Sequence, residues 1–392
     1  MKGLIDMTGA GGSGASTAWG VPLRARYAWE QSDHPALLGV RGALQRHLVP
    51  LVSTVSSADP NGPSLGYAGV PVGIGRVRQT LEACREAGGA PTTAVRRGRV
   101  RRADLFGGVL PDADLVAVGC HAEQAAELPT EHALVLPFRL HLVVGLSGGR
   151  EQWQRAVSKR ERQWFSARRK ERVWAFDVAT DEESFRFFYR RMHVPTMRSR
   201  HGARTRSEPE ASALENLFRS GVLAFVTVDG ERVAGVLCRR SADGATITVR
   251  LLGVLDGTEE MYQLGAMKAL YHLLLEWADE HGYRNVDLGG MEAWLSRGLF
   301  QWKRRFAPRL QLAPNHLGGL RVWFHARRDT PAVRDFLVAN PVLELVGDQE
   351  FGAVYFHDDQ RPARLDLAHA CPNSPGYRTV HLDDFLPARS KP

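Results

Sequence analysis

Residues 224–240 read AFVTVDGERVAGVLCRR, 245–252 ATITVRLL, 263–281 QLGAMKALYHLLLEWADEH and 285–290 NVDLGG, and this order decides the fold. In the first stretch Asp229-Gly230 separates two runs of alternating apolar residues, the pattern of a β-hairpin. The second stretch alternates in the same way and predicts a third strand. The third places Leu264, Met267, Leu270, Tyr271, Leu274, Leu275 and Ala278 on one stripe, which predicts a single helix, Gln263 to His281, packed by that face. NVDLGG is then a short strand ending in a double glycine. The segment closes on GLFQWKRRF (298–306), a helix of aromatic residues interleaved with three consecutive cations. Hairpin, strand, helix, strand is an α/β order.

Upstream, ALLGVRGALQRHLVPLVSTV is apolar at helical spacing up to its Pro, and GRVRQTLEACREAGG is a helix with a glycine stop. SADPNGPSLGY between them is turn chemistry. ADLVAVGC and HALVLPFRLHLVVGL read as strands, the latter broken near Pro137. EQWQRAVSKRERQWFSARRKER (151–172) is expected as one continuous, very basic helix joining two domains. VWAFDVATD follows as a strand, and Thr180 with Glu183 predicts a capping box for a helix that Pro195 should stop. Downstream of Leu312 come GLRVWFHARR, a helix DTPAVRDFLVANP and a strand EFGAVYFHD. The Pro-rich tail from Gln360 to Pro392 is expected to be loop.

At 392 residues the chain is longer than one core usually grows, so two domains are expected. Hydrophobic content of 44% with 24% charged residues belongs to a globular protein that does not span a membrane, since no run approaches the ~18 apolar residues required. The Gly/Ser-rich N-terminus, residues 1–22, is expected as a flexible lead-in. Cys84, Cys120, Cys238 and Cys371 lie far apart with no CxxC, which gives neither a zinc site nor a disulfide framework and fits the cytoplasm. A net charge of +8 favours polyanionic partners where the cations cluster. They cluster in KRERQWFSARRKER (159–172) and RRMHVPTMRSRHGARTR (190–206). The competing explanation is an Arg-rich composition throughout the chain.

No GxSxG, HExxH, Walker loop or GxGxxG in its strand context is present, and none of the fourteen histidines pairs with a carboxylate or Cys at a recognisable spacing. Asp287, polar between Val286 and Leu288, faces away from their side of the strand and is a candidate for a cleft; a turn-bonding Asp is the alternative. Glu292 is a candidate base just beyond it. Tyr262 and Gly265 stand where a helix start could present N–H groups to a phosphate or carboxylate. Trp302-Lys303-Arg304-Arg305 suits a nucleic-acid end, with rings for bases and cations for phosphates, against the alternative of an amphipathic helix that buries its aromatics.

The order of elements resembles the GNAT acyltransferase fold, and more closely its Fem-type branch, over roughly Leu134 to Phe306. VSKRERQWFSARRKE looks like the branch's basic connecting helix. SFRFFYRRMHVPTMRSRHG is similar to its helix and substrate-side loop. DGERVAGVL, HGYRNVDLGG and GLFQWKRRF look like its hairpin, strand and aromatic-Lys motif. The chain departs from the pattern at Phe165 and Ser166, where the connecting helix usually has Arg, and at Ala307, where a glycine follows the aromatic-Lys motif. The acyl-CoA members of the fold need Arg/Gln-x-x-Gly-x-Gly/Ala at the central helix. This chain has Tyr262 and Met267 at the first and last of those places.

The resemblance implies a mixed α/β (α+β) protein of two GNAT-like domains in tandem, drawn here as 23–165, with the basic helix at its end, and 166–392. It implies a transferase that moves an aminoacyl group from aminoacyl-tRNA to the amine of a small molecule or peptide, in specialised metabolism, with no cofactor beyond that co-substrate. An acetyl-CoA-dependent N-acetyltransferase and a non-catalytic RNA-binding module are the alternatives. Lys303, Tyr262 and Asp287 would carry catalysis, with Lys303 steadying the oxyanion or terminal phosphate. Trp302 would stack a terminal base, Arg304, Arg305, Arg198 and Arg200 would gather phosphates, and Glu292 would meet the amine.

Overall fold

A computed structural model describes residues 16–58, 61–202, 207–347 and 350–388. One six-stranded sheet contains β1 (Leu51–Ala58), β2 (Leu65–Gly69), β3 (Thr92–Val100), β4 (Leu115–His121), β5 (Ala133–Pro137) and, from far downstream, Leu320–Ala326. A seven-stranded sheet contains β6 (Leu140–Gly145), β7 (Trp174–Ala179), β8 (Val222–Val228), β9 (Glu231–Arg240), β10 (Thr246–Val254), β11 (Asn285–Met291) and β12 (Arg309–Leu312). Leu320–Ala326 is β13. A small third sheet holds β14 (Val342–Leu345), β15 (Phe351–His357) and β16 (Tyr377–His381).

The two large sheets follow one plan. Each is antiparallel except for a single parallel pair, β2 with β4 and β10 with β11. A helix lies on each crossover, Val77–Ala87 and Ala266–Glu280. The tandem of two α/β halves expected from the sequence is therefore present, but the sheets do not divide at 165/166. The strand order is β3-β1-β2-β4-β13-β5 in one sheet and β12-β6-β11-β10-β9-β8-β7 in the other. β13 is inserted beside β4, and β6 beside β11, so each half lends the other a strand. Apolar strands with no charge at their centres, LVVG and VWF, pair equally well in either sheet, and so local pattern cannot assign them.

Several expected elements break or continue differently. The helix Gln263–His281 is two, Glu259–Leu264 and Ala266–Glu280, because Gly265 takes φ 89° between them. Its stripe is core as expected: Leu270, Tyr271, Leu274, Leu275 and Ala278 are buried. The opposite face is covered too, since Phe165 stacks on His272 at 4.5 Å between ring centres. The basic connector is also two helices, Arg150–Ala156 and Lys159–Glu171, the second capped by Ser158, whose hydroxyl accepts from the Glu161 N–H. Asp181, not Thr180, caps the next helix, accepting from Ser184 N–H at 2.7 Å.

Pro195 does not stop that helix. The chain runs on through a π-helical turn, Phe188–His193, into Val194–His201. Pro195 has no N–H for the carbonyl one turn back, and the widened turn absorbs the mismatch. Part of the expected lead-in is ordered: Ser16–Gln31 is a helix, tied by Arg24 Nε to Glu215 Oε1 at 2.6 Å. The rest, residues 1–15, lies outside the described residues. The tail is not all loop, since β16 pairs parallel to β15 and Leu382–Phe385 forms a helical turn. All four cysteines are free and buried.

Candidate active site

In the first sheet the parallel strands β2 and β4 stay paired from Leu65↔Leu115 to Gly69↔Gly119. In the second, β10 and β11 pair only at Thr246↔Asn285, Ile247↔Val286 and Thr248↔Asp287. Beyond Thr248 they part. β10 is bulged against β9 between Val249 and Leu251, and β11 shifts register on β6 between Asp287 and Gly290. Gly289 makes that shift with φ 88°, a conformation side chains resist. The parting opens a cleft of about 340 Å³, bordered by Thr248, Val249, Gly289, Gly290, Arg139 and His141. Gln31, the last residue of the N-terminal helix, closes one side; its Oε1 accepts from Arg250 Nη1 at 3.1 Å.

His141 on β6 and Asp287 on β11 meet diagonally across the register shift of these paired strands, 146 residues apart in sequence, and Nδ1 lies 2.6 Å from Oδ2. Both are buried, and the other carboxylate oxygen accepts from Gly289 N–H at 2.8 Å. A carboxylate at Nδ1 holds the proton on that nitrogen and leaves Nε2 as the acceptor. Nε2 looks towards Gly290, where a Cβ would come within 2.8 Å of it. A bare glycine thus keeps the basic nitrogen uncovered at the cleft. This is the orienter–base arrangement of a general base.

Lys303 ends the helix Gly298–Lys303, and its Nζ donates to Leu288 O. It lies behind the Gly289 wall, 3.8 Å from where a Cβ would stand, and 5.9 Å from the centre of the Tyr271 ring. Burial pulls its pKa down to about 8; Asp287 opposes the shift and Arg139 adds to it. Below that pH a buried ammonium stands beside the parted strands, a charge suited to a developing oxyanion.

The remaining expected residues separate into three groups. Glu292 borders a second cavity of about 480 Å³ with Arg76, Arg200 and Arg297. It takes Arg139 Nη1 at 2.6 Å and Arg76 Nη1 at 3.8 Å, so it is held by cations rather than poised as a base. Tyr262 lies under the Arg200 guanidinium, 3.8 Å from its ring centre, and does not line the cleft; Arg198 is exposed on the same helix as Arg200. Trp302 is not a free stacking platform. Its ring packs edge-on against Tyr271 at 4.7 Å and Phe306 at 5.5 Å, so the amphipathic alternative holds for the aromatics. Arg305 bonds Glu161 Oε1 at 2.8 Å, where the carboxylate is fully buried, and Arg304 bonds Gln301 Oε1 at 3.1 Å. Arg305 thus ties its helix to Lys159–Glu171, whereas Arg304 bonds within its own helical run.

The helix start at Ala266, offered above as a phosphate dock, is covered. A Cβ at Gly265 would fall inside the Trp164 indole, Lys268 lies 5.0 Å over that ring, and helix Glu259–Leu264 abuts the same end.

His141, Arg139 and Arg76 escaped the sequence reading. The first two carried a signal: in FRLHLVVG the polar residues fall two apart, on one face of an apolar strand. Among the described residues no group of three or more His, Cys, Asp or Glu could hold a metal ion, and no helix is long and apolar enough to cross a membrane.

Residues 153–304 match the family model described as the acetyltransferase (GNAT) domain, and the split parallel pair lies within that stretch. Among solved structures the chain is similar to L-PGS from Bacillus licheniformis, at 13% identity over 78% of this chain and 96% of that one with a TM-score of 0.36. It is also similar to FemX, at 11% identity over 70% and 84% of the two chains with a TM-score of 0.38. No curated sequence matches the chain.

Proposed function

We propose that the chain forms an amide by moving an aminoacyl group from aminoacyl-tRNA to the amine of a small molecule or peptide, in the cleft where β10 and β11 part. The amine gives its proton to His141 Nε2 as its nitrogen attacks the ester carbonyl. Asp287 holds the imidazolium, and the Lys303 ammonium, behind the Gly289 wall, lends positive charge to the tetrahedral oxyanion across that wall. The C–N bond forms, the C–O bond to the ribose breaks, and His141 returns the proton to the ribose oxygen. No covalent enzyme intermediate is needed, and no cofactor beyond the co-substrate.

The observation that supports the donor choice is the covered start of helix Ala266–Glu280. A coenzyme A pyrophosphate needs open backbone N–H groups there, and in this chain Trp164 and a preceding helix occupy the space. The resemblance to Fem-type sequences points the same way. The family match to acetyltransferases favours the second reading, acyl-CoA as donor with the same base. Incubation with a pool of charged tRNAs and a panel of amines decides between them. Ribonuclease-sensitive amide product is expected, with no thermal shift on adding acetyl-CoA; a shift of several degrees with acetyl-CoA, and product that survives ribonuclease, would reverse the assignment.

A further inference from the structure

Five of the eleven described cations that the sequence clusters in 159–172 and 190–206 meet an acid in the fold. Arg168 pairs with Glu171, Arg169 with Glu276, Arg172 with Asp229, Arg190 with Glu210 and Arg191 with Asp256. Residues 203–206 lie outside the described residues. In another run no cation meets an acid. β3 reads TTAVRRGRV and is followed by Arg101 and Arg102; between 92 and 102 there is no acid. Arg102 is spent on the Gln45 and Val49 carbonyls. Arg96, Arg97, Arg99 and Arg101 are exposed, and none of their side chains has a hydrogen bond or ion pair to a described residue.

β3 is an edge strand, bonded only to β1, whose facing residues from Leu51 to Ala58 are apolar, Ser or Thr. In a strand Arg97, Arg99 and Arg101 share one side and stand about 6.7 Å apart, so each can meet a different phosphate of one backbone. Edge strands often carry a charge that deters pairing with other chains, but one charge of either sign serves that purpose. Four unpaired guanidiniums of one sign make a positive rail instead.

We propose that this edge grips the phosphate backbone of the tRNA donor. The inference rests on the aminoacyl-tRNA reading above and adds where the RNA body lies. It is tested by filter binding of unacylated tRNA to the full chain over a series of salt concentrations, comparing wild type with Arg97→Glu/Arg99→Glu/Arg101→Glu. All three side chains are solvated, and matched melting curves show that the variant folds. Binding weakened at least tenfold, with a slope of log K against log salt flatter by about 2–3, is expected. Wild-type affinity and slope in the folded variant would overturn the β3 assignment while leaving the donor reading intact. Absence of tRNA binding by the wild type would overturn both.

Discussion

His141 sits in a strand that otherwise reads as core, and its partner Asp287 is 146 residues away. Asp287 was legible because an acid between Val286 and Leu288 has to face the other side. The pairing was not, because it depends on β6 joining a sheet built almost wholly from the other half. Replacing His141 with Ala removes the base and should lower kcat on the order of 10²–10⁴-fold with KM nearly unchanged. Asp287→Asn should cost a similar factor, because an amide frees the ring to carry its proton on Nε2; an unchanged kcat in either variant would remove the dyad from the mechanism.

Lys303 gives a pH signature at the same scale. Its folded pKa of about 8 lies below the ordinary 10.5. Below pH 8 both folded and unfolded chains are protonated, and the full cost of the buried charge, about 3 kcal/mol, is present. Between 8 and 10.5 the unfolded chain binds more protons, so stability rises with pH relative to Lys303→Met, and above that window the cost is gone. Denaturant titrations of both proteins at pH 7 and pH 10 measure this, and equal differences at the two pH values would contradict it. The alkaline limb of kcat, near pH 8, should disappear in the same variant.

At the scale of elements, the hairpin, the strands and the core stripe of the central helix followed from period and turn chemistry. The breaks did not. Gly265 looked like an isolated glycine inside a helical pattern, and only the Trp164 ring lying against it shows why the chain turns there. The basic connector hid an acid: Glu161 is fully buried and receives Arg305, with Lys268 at 3.8 Å. Periodicity could not show this, since a charged helix normally exposes its acids. Arg305→Ala leaves that carboxylate largely uncompensated and should destabilise by about 3 kcal/mol. The Glu161→Gln/Arg305→Met pair should recover most of the loss, as read by urea unfolding; a variant as stable as wild type would show that the pair is not what joins the helices.

At the scale of the molecule, composition and length foretold two α/β halves but not their exchange of strands. β6 and β13 each complete the sheet of the other half, so neither half holds its own core. Residues 1–165 expressed alone should therefore fail to give a cooperative melt, as should the domain-matching segment 153–304, whereas the whole chain should unfold in one transition. Two separate calorimetric transitions in the full chain would contradict this. The exchange also sets the two parallel pairs apart. The first parallel pair stays zipped to Gly69↔Gly119, while the second opens past Thr248 with a base supplied by the borrowed strand.

The central claim is that amide formation occurs at that opening, with His141 as the base and aminoacyl-tRNA as donor. Single-turnover transfer from a pre-formed, radiolabelled aminoacyl-tRNA pool to an amine, measured for wild type and His141→Ala at equal tRNA occupancy, tests it most directly. The account predicts rapid transfer by the wild type and a rate lower by two orders of magnitude or more in the variant, with unchanged tRNA binding. Equal rates in the two proteins, or transfer by neither while acetyl-CoA supports acylation, would contradict it.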